Sequence, residues 1–100
     1  MADEKTKTTQ FSIDGIETIP TNKPIVYEII NKNNENIYTG SAKRGRGQER
    51  LKEHLSGGPD PIPGGVKVKI IQKKTISVAE KSEKTIISRD KPKYNKQHKP

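Results

Sequence analysis

One hundred residues allow one small domain, and because only 27% of them are hydrophobic any core must be thin. Twenty lysines and arginines against twelve acidic residues leave a net charge of +8, which favours an anionic partner, although nucleic acid, a ribosomal assembly and an anionic membrane surface all satisfy that charge. The lack of cysteine excludes disulfides, thiolate nucleophiles and cysteine-based zinc sites. No stretch approaches the ~20 apolar residues of a membrane span, so a soluble chain without a signal peptide is expected.

In chain order, residues 1–22 read as a flexible arm, since the first ten hold almost no apolar side chain. Phe11, Ile13, Ile16 and Ile19, broken by Asp14-Gly15, allow a short extra strand over 11–19. Ile25 to Ile30 predicts a strand, Asn31 to Asn36 supplies turn chemistry because asparagine tolerates positive φ, and Asn36 to Thr39 returns. An even number of loop residues puts Tyr27 and Tyr38 on one face, and a two-residue loop at Lys32-Asn33 would set them directly opposite. Gln48 to Leu55 predicts a helix with Leu51 and Leu55 toward the core and Arg50 and His54 on an adjoining stripe, ended by Gly57-Gly58-Pro59.

Val66 to Ile70 alternates strictly, as a half-buried strand does, with Lys67 and Lys69 facing water or phosphate. Ser77-Val78-Ala79-Glu80 has the spacing of a capping box, which predicts a helix from Val78 to about Asp90, stopped by Pro92. Ala79, Glu83, Ile86 and Ile87 share its inward face. A carboxylate there is costly unless a metal or a hydrogen-bonding group meets it. These elements make an α+β domain over 23–96, in the order β-β-α-β-α with a small three-stranded antiparallel sheet flanked by helices, followed by a basic tail at 97–100.

Tyr27 in Ile25-Val26-Tyr27, Tyr38 in Tyr38-Thr39-Gly40, the Arg50 to His54 run, and Glu83 ahead of Pro92-Lys93-Tyr94-Asn95 together resemble the GIY-YIG nucleases, from Pro24 to Asn95. Glu83 precedes Pro92, Tyr94 and Asn95 by nine, eleven and twelve positions, the spacing of the family's excision-repair members. Two departures stand out. Ile25-Val26 replace the usual Gly-Ile, and the Lys43-Arg44-Gly45-Arg46-Gly47 loop is two residues longer than in common members.

The resemblance implies metal-dependent hydrolysis of phosphodiester bonds, usually in DNA with RNA not excluded, using magnesium or another divalent cation such as manganese. Such chemistry needs an activated water, neutralised phosphoryl oxygens and a stabilised leaving oxygen. By resemblance Tyr27 is the general base or orients the water, Tyr38 positions its neighbours, Arg50 holds the scissile phosphate, and Glu83 binds the metal; the rival carboxylate Glu80 has its role in the capping box instead. His54 would bond a tyrosine, relay a proton or contact phosphate, and Asn95 would bond backbone or substrate. Lys43, Arg44, Arg46, Lys67 and Lys69 would contact nucleic acid. An ordinary phenol titrates near ~10, so Tyr27 is expected to work as a phenolate stabilised by Lys43, Arg44 and Arg50, with a rate that climbs with pH.

With no room for a target-choosing domain, sequence selectivity is expected to be modest. The ending from Lys93 to Lys99 looks like the tails of bacterial toxins, which would imply delivery to the cytosol of a target cell and an inhibitor or immunity protein; otherwise a cytoplasmic protein is expected. The altered Ile25-Val26 start motivates the alternative, a non-catalytic nucleic-acid-binding module on a degenerate nuclease fold.

Overall fold

The computed structural model describes residues 5–97, with side chains for 5–95. Four strands form one antiparallel sheet in the order β1-β4-β2-β3. Strand β2 (Ile25–Asn31) lies inside it, between β3 (Asn36–Ala42) and β4 (Gly65–Gln72), and is buried on both faces from Ile25 to Ile29. That accounts for its nearly unbroken apolar run, since a strand covered on both sides has no solvent face to make polar. Ile25, Tyr27 and Ile29 join Val68 and Ile70 of β4 in the main core, with Ile16 of α1 (Ile13–Ile16) and Leu51 of α2 (Gly47–Glu53). On the opposite face Val26 packs against Ala79 and Ile86 of α3 (Ile76–Asp90). Helix α4 (Lys93–Gln97) closes the described chain beside β3.

The N-terminal segment differs from expectation. A fourth strand, β1 (Thr6–Gln10), pairs along β4 from Thr6 opposite Ile71 to Gln10 opposite Lys67, so the described part of the expected arm is built into the sheet. Its threonines suit extended backbone, and its ladder satisfies the outer edge of β4, which apolar patterning does not reveal. The strand expected within 11–19 is replaced by helix α1, because Ser12 caps it by accepting from Gly15 N at 3.1 Å. Residues 1–4 and 98–100 lie outside the described residues, so the expected basic tail is described only at the backbone of Gln97.

Two further corrections bear on the site. The hairpin turns through Lys32 to Glu35, with Asn34 at φ 69 and a bulge at Ile29/Ile30, so Tyr27 lies opposite Gly40 and Tyr38 opposite Ile29. The two tyrosines share a face but sit diagonally rather than as a direct pair. Helix α3 begins two residues early, because Thr75 rather than Ser77 is the cap, its Oγ1 accepting from Val78 N at 3.1 Å. Glu80 therefore falls outside the capping turn, and the Ser77/Glu80 box does not form. Lys91, in the left-handed region at φ 48, ends this helix ahead of Pro92.

Candidate active site

Tyr27 reaches across the sheet face toward β3, and the neighbour it meets must be glycine: a Cβ on Gly40 would lie 2.5 Å from the Tyr27 hydroxyl. Tyr38 and His54 complete the cluster, the Tyr38 ring lying 6.3 Å from Tyr27 and 4.8 Å from His54. Because α2 ends at Glu53, His54 is its C-cap residue, and the returning chain ties it down through Ile62 N to its carbonyl at 2.9 Å. The His54 Nδ1 stands 2.9 Å from the Asp60 carbonyl oxygen, which can only accept, so Nδ1 carries the proton. In the neutral ring Nε2 is then the acceptor, and Tyr27 Oη donates to it at 3.0 Å.

Burial keeps both partners uncharged. It lowers the His54 pKa below its ordinary value, against the opposing pull of Asp60, and raises that of Tyr27 well above the usual phenol, helped by Tyr38 and Glu83 and opposed by Arg50. The expected phenolate is therefore corrected. Arg50 does act on Tyr27, through its charge and a hydrogen bond, but the desolvation of a phenol that is 0% exposed outweighs it.

Arg50 and Glu83 approach this cluster from separate helices. The Arg50 side chain is 45% exposed and touches Glu53 at 3.3 Å. Glu83, half-buried on α3, accepts at Oε1 from Ser41 Oγ at 2.6 Å. Ser41 is a residue the motif reading missed. Its signal is positional: one step beyond Gly40 in an alternating strand, it lies opposite Val26 and so faces α3.

A cleft of about 470 Å³ is lined by Ser41, Lys43, Arg46, Arg50, Ile76 and Glu80, with Ala42. Of the expected nucleic-acid contacts, Lys43 and Arg46 line it, Arg46 also pairing with Glu49 at 2.9 Å, and Arg44 is exposed on the same loop. Lys67 and Lys69 are not brought there. They lie opposite Ile30 and Glu28, toward the sheet face that carries α3. Asn95 turns its amide to the outer edge of β3, accepting from Thr39 N at 2.8 Å and donating to Thr39 O at 2.9 Å. It thus completes a strand edge, the backbone role rather than the substrate role.

Among the described residues no group of three or more acidic or histidine side chains could enclose a metal. Glu83 nonetheless fits an ion such as magnesium, which keeps several waters and takes phosphate oxygens beside one or two carboxylates. Ser41 fixes one of its oxygens, and among the described residues no protein donor takes the other.

The sequence model of the GIY-YIG catalytic domain matches residues 23–95, and the chain belongs to that family. Its members are endonucleases that act on DNA and generally depend on a divalent metal, so membership implies a nuclease-type function. A search of curated proteins gave no match. Among the described residues no helix is long and apolar enough to cross a membrane.

Proposed function

We propose that the chain is a metal-dependent endonuclease hydrolysing phosphodiester bonds in DNA, in which Tyr27 takes the proton of the attacking water while passing its own to His54. The observation that carries this reading is the 3.0 Å Tyr27 Oη to His54 Nε2 hydrogen bond, with its direction set by the Asp60 carbonyl. A neutral phenol is a poor standing base, but a phenol bonded to a neutral imidazole relays a proton without a charged resting state. The water O–H breaks as a new Tyr27 O–H forms, and the original phenolic proton moves to Nε2. The imidazolium so formed lies 3.7 Å from the Asp60 carboxylate, which offsets its charge.

Arg50 holds the phosphate through its planar fork. For the attacking water to reach the enclosed Tyr27 hydroxyl, Arg50, which bonds it at rest, would have to give up that bond as it takes the phosphate. Glu83, oriented by Ser41, would hold a magnesium or manganese ion, which when bound neutralises charge on the phosphoryl and leaving oxygens. Lys43, Arg44 and Arg46 guide the backbone of the nucleic acid into the cleft. The toxin context, with delivery into a target cell's cytosol and an inhibitor protein, rests on the chain's small size and basic charge and on the run from Lys93 to Lys99, of which 98 and 99 lie outside the described residues.

One observation favours a second reading: the closed-off Tyr27 hydroxyl suits a non-catalytic nucleic-acid-binding module. Incubating the protein with supercoiled plasmid, first with magnesium and then with EDTA, separates the two. Metal-dependent nicking supports the endonuclease, and tight binding without nicking in any divalent metal supports the binding module. A matched RNA substrate in the same assay tests the preference for DNA.

A further inference from the structure

A second cavity among the described residues is remote from the cleft and shares none of its lining residues. About 1060 Å³ in volume, it opens between the β2–β3 hairpin and the C-terminal end of α3, with Glu28, Glu35, Asp90, Arg89, Lys91 and Lys93 as its charged walls. Glu28 is the unusual member. It is only 6% exposed in the middle of β2, yet it has no hydrogen bond or ion pair among the described residues.

The charge of Arg89 acts on Glu28 from a distance, but among the described residues no neighbour donates a hydrogen bond to it. Arg89 commits its guanidinium to Asp90 at 2.7 and 3.0 Å, and Lys69, opposite Glu28 on β4, makes no ion pair with it. Thr39, opposite on β3, accepts from Asn36 and gives its backbone to Asn95. No buried side-chain oxygen or nitrogen among the described residues is sealed off without a partner, so the Glu28 carboxylate meets the cavity. A carboxylate this buried is costly unless something supplies donors to it.

We propose that this cavity binds an unpaired guanine of the nucleic acid, read by Glu28. The inference rests on the nucleic-acid reading of the preceding section. A carboxylate only accepts, and its two oxygens match the parallel N1–H and N2–H donors of guanine. Cytosine, adenine and thymine each set a ring or carbonyl acceptor beside their donor on that edge, which a carboxylate repels. Of the other charged walls, Asp90 is paired with Arg89 and Glu35 accepts from Asn31, which leaves Lys91 and Lys93 to meet the attached phosphate, and the chain's net charge of +8 disfavours the other donor-rich occupant, an arginine of a partner protein. The recognised edge is the one used in base pairing, so the guanine is single-stranded or turned out of a duplex. Target choice would then arise within this small domain.

The test uses the full chain in EDTA, so that binding is read apart from cleavage, with dGMP, dIMP, dCMP, dAMP and dTMP titrated against amide NMR shifts. The expected result is tightest binding of dGMP, by ~10-fold, with shifts at residues 31–37 and 89–93. Loss of the N2 amino group in dIMP should remove most of that preference without any change to the protein. Glu28→Gln should weaken dGMP alone by ~10-fold, whereas Lys93→Gln should weaken all five nucleotides alike. Equal affinity for dGMP and dIMP, shifts confined to the Arg50 cleft, or tighter binding of arginine amide than of dGMP would each overturn the proposal. Plasmid nicking without any guanine dependence would sink the pocket and leave the endonuclease standing; guanine binding by a protein that never nicks would do the reverse.

Discussion

Tyr27 and His54 are 0% and 1% exposed and are joined by fixed hydrogen bonds, whereas Arg50 and Glu83, which serve the same reaction in our account, are open or half-open to solvent. The buried pair rests neutral and needs only geometry to move a proton. The open pair, in the same account, gains its full set of partners only when phosphate and metal arrive. On that account the site keeps its proton chemistry inside the core and its charge chemistry at the rim, where desolvation costs least.

The comparison breaks most visibly under substitutions that silence one half. Tyr27→Phe should lower the nicking rate by ~10²–10⁴ with the fold intact by circular dichroism, because the ring still fills the core while the relay is lost. Gly40→Ala should act on the same half and also lower Tm, since its methyl would press on the Tyr27 hydroxyl. On the open half, Glu83→Gln should stop cleavage while leaving DNA affinity in EDTA nearly unchanged. A smaller effect sharpens the contrast: Ser41→Ala should raise the magnesium needed for half-maximal nicking by ~10-fold, leaving the rate at saturating metal and its pH profile intact.

Salt dependence probes the outermost layer. Each phosphate contact contributes about −0.9 to the slope of log K against log salt on duplex DNA, so Lys43→Gln with Arg46→Gln should make that slope shallower by about two. Lys67→Gln with Lys69→Gln should change plasmid affinity less, because these lysines lie away from the cleft. The smallest expected effect is purely structural. Thr75→Ala should cost about 1 kcal/mol of stability through the lost cap, measured by urea unfolding, and Glu80→Gln, outside that cap, should cost less.

Where local pattern governs, the chain is legible. The alternation of Val66 to Ile70, the apolar run of β2 and the shared face of Tyr27 and Tyr38 all follow from side-chain periodicity, and the motif spacing picks out the matched family. What escapes it depends on partners distant in sequence. β1 is polar and stands because β4 offers it an edge; Thr75 and Ser77 are both fit to cap α3, and nothing in the local pattern decides between them. The amide of Asn95 finds Thr39 once α4 docks on β3. Least legible is the state of Tyr27, since its neutrality is imposed by the burial that Gly40, Tyr38 and His54 create together from three places in the chain.

That neutrality is the central claim, and a pH–rate profile tests it most directly. Nicking by the wild type and by His54→Gln would be measured at saturating magnesium from about pH 5 to about pH 10, spanning the ordinary histidine and tyrosine values of ~6.5 and ~10. Because the relay needs neutral His54, whose pKa burial lowers, the wild-type rate should fall only in acid, with a midpoint below the ordinary histidine value, and should stay flat through the alkaline range. His54→Gln should be slower and should lack the acid limb. A wild-type rate that climbs steadily toward pH ~10, with His54→Gln unaffected, would mean that a phenolate does the work, and the account of Tyr27 as a relay to His54 would be wrong.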